Sequence, residues 1–145
     1  MQSNLQRLIE RYQQGERTFH GLDLSGCDLS HLKLSEIDLS YSLLKGVSLV
    51  GTDLQWAVLR DVDLTRANLT HAHLHRANLR RANLTMASLQ QADLRAADLS
   101  GATIANTVFV NSNLWGAISP DGVSPLQGSW LTARGILTTQ PVGGG

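Results

Sequence analysis

The chain has 145 residues, which suits a single domain. Twelve basic and twelve acidic residues cancel to a formal net charge of zero, which excludes a strong overall field for nucleic acid or anionic membrane. Hydrophobic residues make up 42% and aromatics only 5%, so the core has to be built from Leu and Ala, and the single Cys27 excludes an internal disulfide or a Cys-based zinc cage. No apolar run approaches the roughly 18 residues that span a bilayer. The start lacks the charged-then-apolar pattern of a secretory signal. The expected setting is soluble and cytoplasmic.

Residues 1–16 are expected to form an N-terminal capping unit, with a short helix over 3–14. Ser3 and Gln6 have capping-box spacing. Leu5, Leu8, Ile9 and Tyr12 fall at i, i+3, i+4 and i+7 and make one apolar stripe. Gly15 stands where a C-terminal cap belongs. So short a helix is marginal alone, so it is expected to cover the open end of whatever follows.

Residues 17–116 carry an unbroken five-residue repeat. Twenty large apolar residues recur from Phe19 to Leu114, seventeen of them Leu and the others Phe19, Ile104 and Phe109. On an α-helix five residues turn about 500°, which marks no single face. On a strand an odd spacing alternates faces. Only a chain that bends the same way every five residues keeps all twenty on one side, as in a solenoid.

Two positions before these centres the residue is usually small or apolar. Ala fills nine such slots: Ala57, Ala67, Ala72, Ala77, Ala82, Ala87, Ala92, Ala97 and Ala102. Residues two apart in an extended segment share a side, so both slots are expected to point inward. Just before the centre stand eleven Asp or Asn residues: Asp23, Asp28, Asp38, Asp53, Asp63, Asn68, Asn78, Asn83, Asp93, Asp98 and Asn113. Their side chains suit local bonds to backbone in repeated turns. Leu43 and Val58 break that slot and are expected at exposed or half-exposed sites. Leu22, Cys27, Leu32 and Ile37 take slots that are mostly Ala later, implying a wider first coil.

The units Ala67-Asn68-Leu69-Thr70, Ala77-Asn78-Leu79-Arg80-Arg81, Ala82-Asn83-Leu84-Thr85 and Ala92-Asp93-Leu94-Arg95 resemble the A(D/N)LXX unit of the pentapeptide-repeat family. The resemblance covers residues 17–116. It implies an all-β solenoid, a right-handed quadrilateral parallel β-helix in which four pentapeptides make a 20-residue coil. Twenty units then give five coils and a rod about 24 Å long. Similar proteins are abundant in cyanobacteria.

Residues 117–145 leave the register and are expected to be an irregular or short-helical C-terminal cap with a frayed tail. Ser119-Pro120-Asp121-Gly122 is a turn signal. Trp130, Leu131, Ile136 and Leu137 are expected to cover the last coil, with Trp115 beneath them, or to join a second chain in an end-to-end dimer.

The candidate partner surface is Trp56 with Arg60, Arg66, Arg76, Arg80, Arg81 and Arg95. Between Leu64 and Ala92 there are four Arg and no acidic residue. Two readings stand side by side: a basic belt for an anionic partner, or ordinary solvated decoration spread over several faces. Trp56 is expected one coil below Arg76, close enough for a cation–π contact. His71, His73 and His75 alternate. His73 and His75 are expected to face out, with Asp53 and Asp93 stacked on either side of His73. That column reads as an Asp–His–Asp charge ladder; a metal site would need more ligands. Neither a GxSxG, a phosphate-binding loop nor an HExxH is present, so no catalytic set, cofactor or metal is assigned. Cys27 reads as a small core residue.

The expected function is a non-enzymatic interaction or scaffold module with a protein partner, as monomer or end-to-end dimer. Two alternatives are a gyrase-interacting DNA mimic, against which the zero net charge argues, and weak anion or nucleic-acid binding through the Arg belt.

Overall fold

The computed structural model describes residues 2–122. The Ser3 side chain and everything expected of Trp130, Leu131, Ile136 and Leu137 lie outside the described residues. Helix α1 spans Gln2–Gln13. Its end is closed by Gly15 in the left-handed region at φ 102°. The Gly15 N–H donates to the Tyr12 carbonyl at 2.9 Å and the Glu16 N–H to the Arg11 carbonyl at 3.0 Å. These two bonds are the paired closures of a Schellman motif, and only glycine takes that backbone without strain.

The apolar stripe of α1 lies on the first coil. Leu8 is fully buried, and Leu5, Ile9 and Tyr12 pack against the core from partly buried positions. Burying a leucine stabilises by about 1.5–3 kcal/mol. Two polar ties fix the helix in place. Asn4 donates to the Asp23 carbonyl at 3.2 Å and the Tyr12 hydroxyl to the Ser35 carbonyl at 2.8 Å. The helix therefore closes the open end of the coil stack, as its stripe requires.

From Thr18 onward the chain winds in coils of 20 residues. Seventeen parallel β-bridges link the coils, from Thr18–Asp38 to Asp98–Ile118, and each joins residues 20 apart. Every bridging residue is the one just before a centre, and single bridges alternate with turns, so among the described residues no side holds a longer strand. In each bridge the two strands exchange slanted bonds, for example Phe19 N–H to Asp38 O and Asp38 N–H to Arg17 O, both 2.7 Å. The ladder runs on past the Leu row. Ala117 is buried, Ile118 bridges Asp98, and Ser119 takes the centre slot almost fully buried. The register thus runs beyond the expected limit of residue 116, with a serine in the twenty-first centre.

The inward slots are filled as the pattern requires. The centres from Leu24 to Leu99 are at most 2% exposed, as are the Ala slots from Ala57 to Ala97. Cys27 is buried in its slot. Leu22, Leu32 and Ile104 are only partly buried. Four inward slots hold a hydroxyl: Ser42, Thr52, Thr107 and Ser112. Thr52 Oγ1 donates to the Leu29 carbonyl at 2.8 Å, Thr107 Oγ1 to the Leu84 carbonyl at 2.7 Å, and Ser42 Oγ accepts from the Leu22 N–H at 3.1 Å. These three reach the turn of the preceding coil, whereas Ser112 Oγ donates to the Phe109 carbonyl of its own coil at 2.8 Å, so each hydroxyl is satisfied inside the core.

Every corner is built alike. The second residue after each of the twenty apolar centres has positive φ: six are glycines and fourteen are not, among them Trp56 (62°), Arg76 (60°) and Arg81 (58°). In most units the N–H three residues after the centre donates back to the centre's carbonyl, as Ala77 does to Leu74 at 2.9 Å, which closes a type II turn. All eleven Asp and Asn residues before the centres brace these turns. Each accepts the N–H two residues on, from Asp23 with Ser25 at 3.0 Å to Asn113 with Trp115 at 3.1 Å.

Candidate interaction surface

The 20-residue coil sorts the surface into columns, and the columns place the candidate residues. Trp56 and Arg76 stack at one corner, Arg60 and Arg80 at the next, and Asp61 and Arg81 beside them. Trp56, Arg60, Arg76, Arg80 and Arg81 therefore share one side of the rod over two consecutive coils. Arg95 sits at the Trp56–Arg76 corner one coil further on, where its carbonyl accepts the Arg76 N–H at 2.9 Å. Arg66 stands apart, exposed at the diagonally opposite corner below Met86. All of the seven candidates but Arg66 therefore lie along this side or at its corner on the next coil.

The charges on this side are unequally matched. Arg81 reaches back one coil to Asp61 with two bonds of 3.0 Å. Arg80 lies 3.7 Å from Asp98 on the following coil. Arg95 holds Asp93 of its own unit at 2.9 and 2.7 Å. The Arg76 guanidinium lies over the Trp56 ring at 5.0 Å from the centroid, a contact worth about 0.5–1 kcal/mol at an exposed site. Trp56 remains 54% exposed, so its other surface is open.

A diagonal relation accounts for three of the ion pairs. The residue after a centre meets the residue before the next coil's centre, 18 positions on. His20 Nε2 lies 2.8 Å from Asp38, Lys45 3.6 Å from Asp63, and Arg80 3.7 Å from Asp98. The hydroxyls of Ser30 and Ser48 meet in the same way at 2.7 Å. Arg60 and Arg95 both face a neutral Asn at that position, Asn78 and Asn113, but Arg95 holds Asp93 of its own unit instead. The Arg60 Nε is buried and has no hydrogen-bond partner. The Asp61 carboxylate feels the charge of Arg60, but both its oxygens bond Arg81. That bond from Arg81 is the first reason the Asp61 carboxyl lies below its ordinary range.

The histidine run does not form a charged ladder. Asp53, His73 and Asp93 do stack through backbone bridges. No ion pair joins His73 to either carboxylate, and Asp93 turns instead to Arg95. Burial would raise the Asp93 carboxyl, but the bonds from Arg95 outweigh it and hold the group low. His71 and His73 are exposed and His75 is half-buried. Among the described residues no group of His, Cys, Asp or Glu is arranged to hold a metal.

Other outward apolar groups are scattered. Tyr41, Leu43, Met86, Val108 and Trp115 are exposed on different columns, while Val58 is half-buried beside Trp56. A shallow cleft of about 390 Å³ separates α1 from the first coil and is lined by Ile9, Tyr12, Gln13, Arg17, Leu32, Lys33 and Leu34. It pairs no nucleophile with a base. Among the described residues no helix is long and apolar enough to cross a membrane.

A closed Leu–Ala core, identical corners and a variable outer layer define a four-sided β-solenoid. A family model described as pentapeptide repeats matches in eight copies over residues 23–61, 57–95 and 87–118. The chain belongs to the pentapeptide-repeat family. Among solved structures it is similar to a pentapeptide-repeat protein of the Arabidopsis thaliana thylakoid lumen, with 31% identity over 86% of this chain and 81% of that one, TM-score 0.42. Rfr23 from the cyanobacterium Cyanothece 51142 shows 26% identity over 77% of this chain and 93% of that one, TM-score 0.39. HetL, a pentapeptide-repeat protein involved in heterocyst differentiation regulation in Nostoc sp. strain PCC 7120, shows 19% identity over 81% and 98%, TM-score 0.44. No curated protein matches the chain.

Proposed function

We propose that the chain is a non-enzymatic protein-binding scaffold, a coil of the right-handed sense its family resemblance implies, whose working surface is the side carrying Trp56, Arg60, Arg76, Arg80 and Arg81. The observation that carries this reading is the convergence of an exposed Trp and four Arg on one side of a rod whose inward slots are uniform. Trp and Arg are the residue types that concentrate binding energy in protein interfaces. A solenoid lends itself to this use, since its outer residues change without disturbing the core. The DNA-mimic alternative requires a dense acidic field, whereas the aspartates here brace turns and most pair with cations.

The test is affinity capture with the full chain as bait beside a variant in which Trp56, Arg60, Arg76, Arg80 and Arg81 are all changed to Ser. A protein held by the first and released by the second supports the reading. Equal capture by both removes this side as the working surface.

A further inference from the structure

Resting on the scaffold reading above, we infer that Arg60 is the carboxylate-binding centre of that surface, and that the partner presents an acidic protein segment with an apolar residue seated against Trp56 and Val58. Three observations meet at this point. In the column of Arg60, His20 and Arg80 each find an Asp 18 residues on, and Arg60 alone finds an Asn. On the two coils of this side, 56–61 and 76–81, four Arg share the surface with one carboxylate, Asp61, which Arg81 already holds. Apolar surface lies at hand, since Trp56 is exposed and Val58 half-buried two residues before Arg60. An incoming carboxylate would supply, from outside, the charge that Asp38 and Asp98 supply for the neighbouring cations, making a charge-assisted bond with an arginine that has none.

The extent of the basic area favours a protein segment over a nucleic acid. Two coils span only about 10 Å along the rod. Glu36 and Asp38 lie on the coil before and Asp98 on the coil after. A strand of evenly spaced phosphates running along the rod would meet those carboxylates, whereas one or two side-chain carboxylates fit between them.

The experiment uses the full chain and fluorescence anisotropy of a fluorescein-labelled peptide of repeated Glu-Gly-Leu-Glu units. A Gln-Gly-Leu-Gln peptide and a labelled oligothymidylate serve as comparisons. The acidic peptide is expected to bind at least about tenfold more tightly than either. Arg60→Gln is expected to weaken it about tenfold, and Asn78→Asp, which keeps the arginine but supplies its missing register partner, by a similar factor. Arg66→Gln should leave binding unchanged. Thermal melts of each variant confirm that the coil stack is intact. Absence of acidic-peptide binding, wild-type affinity in either the Arg60 or the Asn78 variant, or tighter binding of the oligonucleotide overturns the inference. A captured protein that is lost from the five-residue Ser variant yet held by Asn78→Asp would leave the scaffold reading standing and sink this one. Peptide binding that behaves as expected, with equal capture by wild type and the Ser variant, would do the reverse.

Discussion

Arg81 reaches back one coil and holds both carboxylate oxygens of Asp61, Nε to Oδ1 and Nη2 to Oδ2, each at 3.0 Å. Donation to the charged form lowers the Asp61 carboxyl from its ordinary 3.8, against a smaller opposing effect of desolvation. In Arg81→Gln the Asp61 carboxyl should therefore titrate closer to its ordinary value, read by carbon-detected NMR. The pair is solvent-exposed, so the melting temperature should hardly move. An unchanged Asp61 titration would show that the two-point contact does not persist in solution.

Acid should loosen the rod in a defined direction. Asp23, Asp28 and Asp61 are lowered first by hydrogen bonds from Ser25, Ser30 and Arg81 respectively. For Asp38, Asp63 and Asp93 burial pushes upward, but bonds from Ser40 and His20, from Thr65, and from Arg95 prevail. A carboxyl lowered on folding adds stability that is whole above the unfolded value, here 3.8, and is lost as pH falls through the lower folded value. Melting temperature should be flat between about pH 7 and pH 5 and fall below about pH 4. A melt at about pH 2.5 that matches neutral pH would contradict this assignment of the aspartates.

Two corner glycines separate backbone strain from crowding. Gly46 has φ 63° and open space where a Cβ would stand. Gly46→Ala should cost about 1 kcal/mol from the left-handed backbone alone. Gly51 has φ 65°, and a Cβ there would lie 2.6 Å from Nδ1 of His31, whose ring rests over it. Gly51→Ala should melt lower than Gly46→Ala, and adding His31→Ala should bring it up to the Gly46→Ala level. Equal melts for the two single variants would mean that the His31 ring is not held there.

Ile37 and Ala77 occupy the same inward column two coils apart, and both are buried. The first coil is filled by large groups and the middle coils by methyls. Ile37→Ala should cost about 2–5 kcal/mol through the cavity it leaves. Ala77→Ile should cost about 1–3 kcal/mol through overpacking. Denaturant titration measures both. Tolerance of isoleucine at residue 77 would show that coil width is not set by this slot.

The fold was legible because one constraint repeats. The Leu centres and Ala slots can be satisfied only by a chain that turns every five residues, and the Asp and Asn residues named the turn-bracing positions in advance. The left-handed corners were less visible, since fourteen of the twenty carry a side chain that seldom takes that backbone. Glycine at the remaining six was the available signal. The surface was legible only in composition. The four arginines between Leu64 and Ala92 looked unopposed, yet Asp61 and Asp98 meet two of them from neighbouring coils. The 20-residue coil already puts Trp56 below Arg76, and that contact forms, whereas the diagonal pairings 18 residues apart depend on how side chains lean between coils, which the repeat alone does not show. The odd position of Arg60 appears only once the diagonal relation is known.

The uniform coil also separates two kinds of change in chain length. Inserting a whole coil would leave every column in line and simply lengthen the rod. Inserting one pentapeptide would leave the Leu–Ala interior equally content but rotate everything beyond it by a quarter turn. Placed between Arg60 and Arg76, such an insertion would carry Arg76, Arg80 and Arg81 to an adjacent side while Trp56 and Arg60 stayed behind. A lineage of these rods can thus dismantle or assemble a binding surface by slippage of fifteen nucleotides, with no penalty in the core to record it.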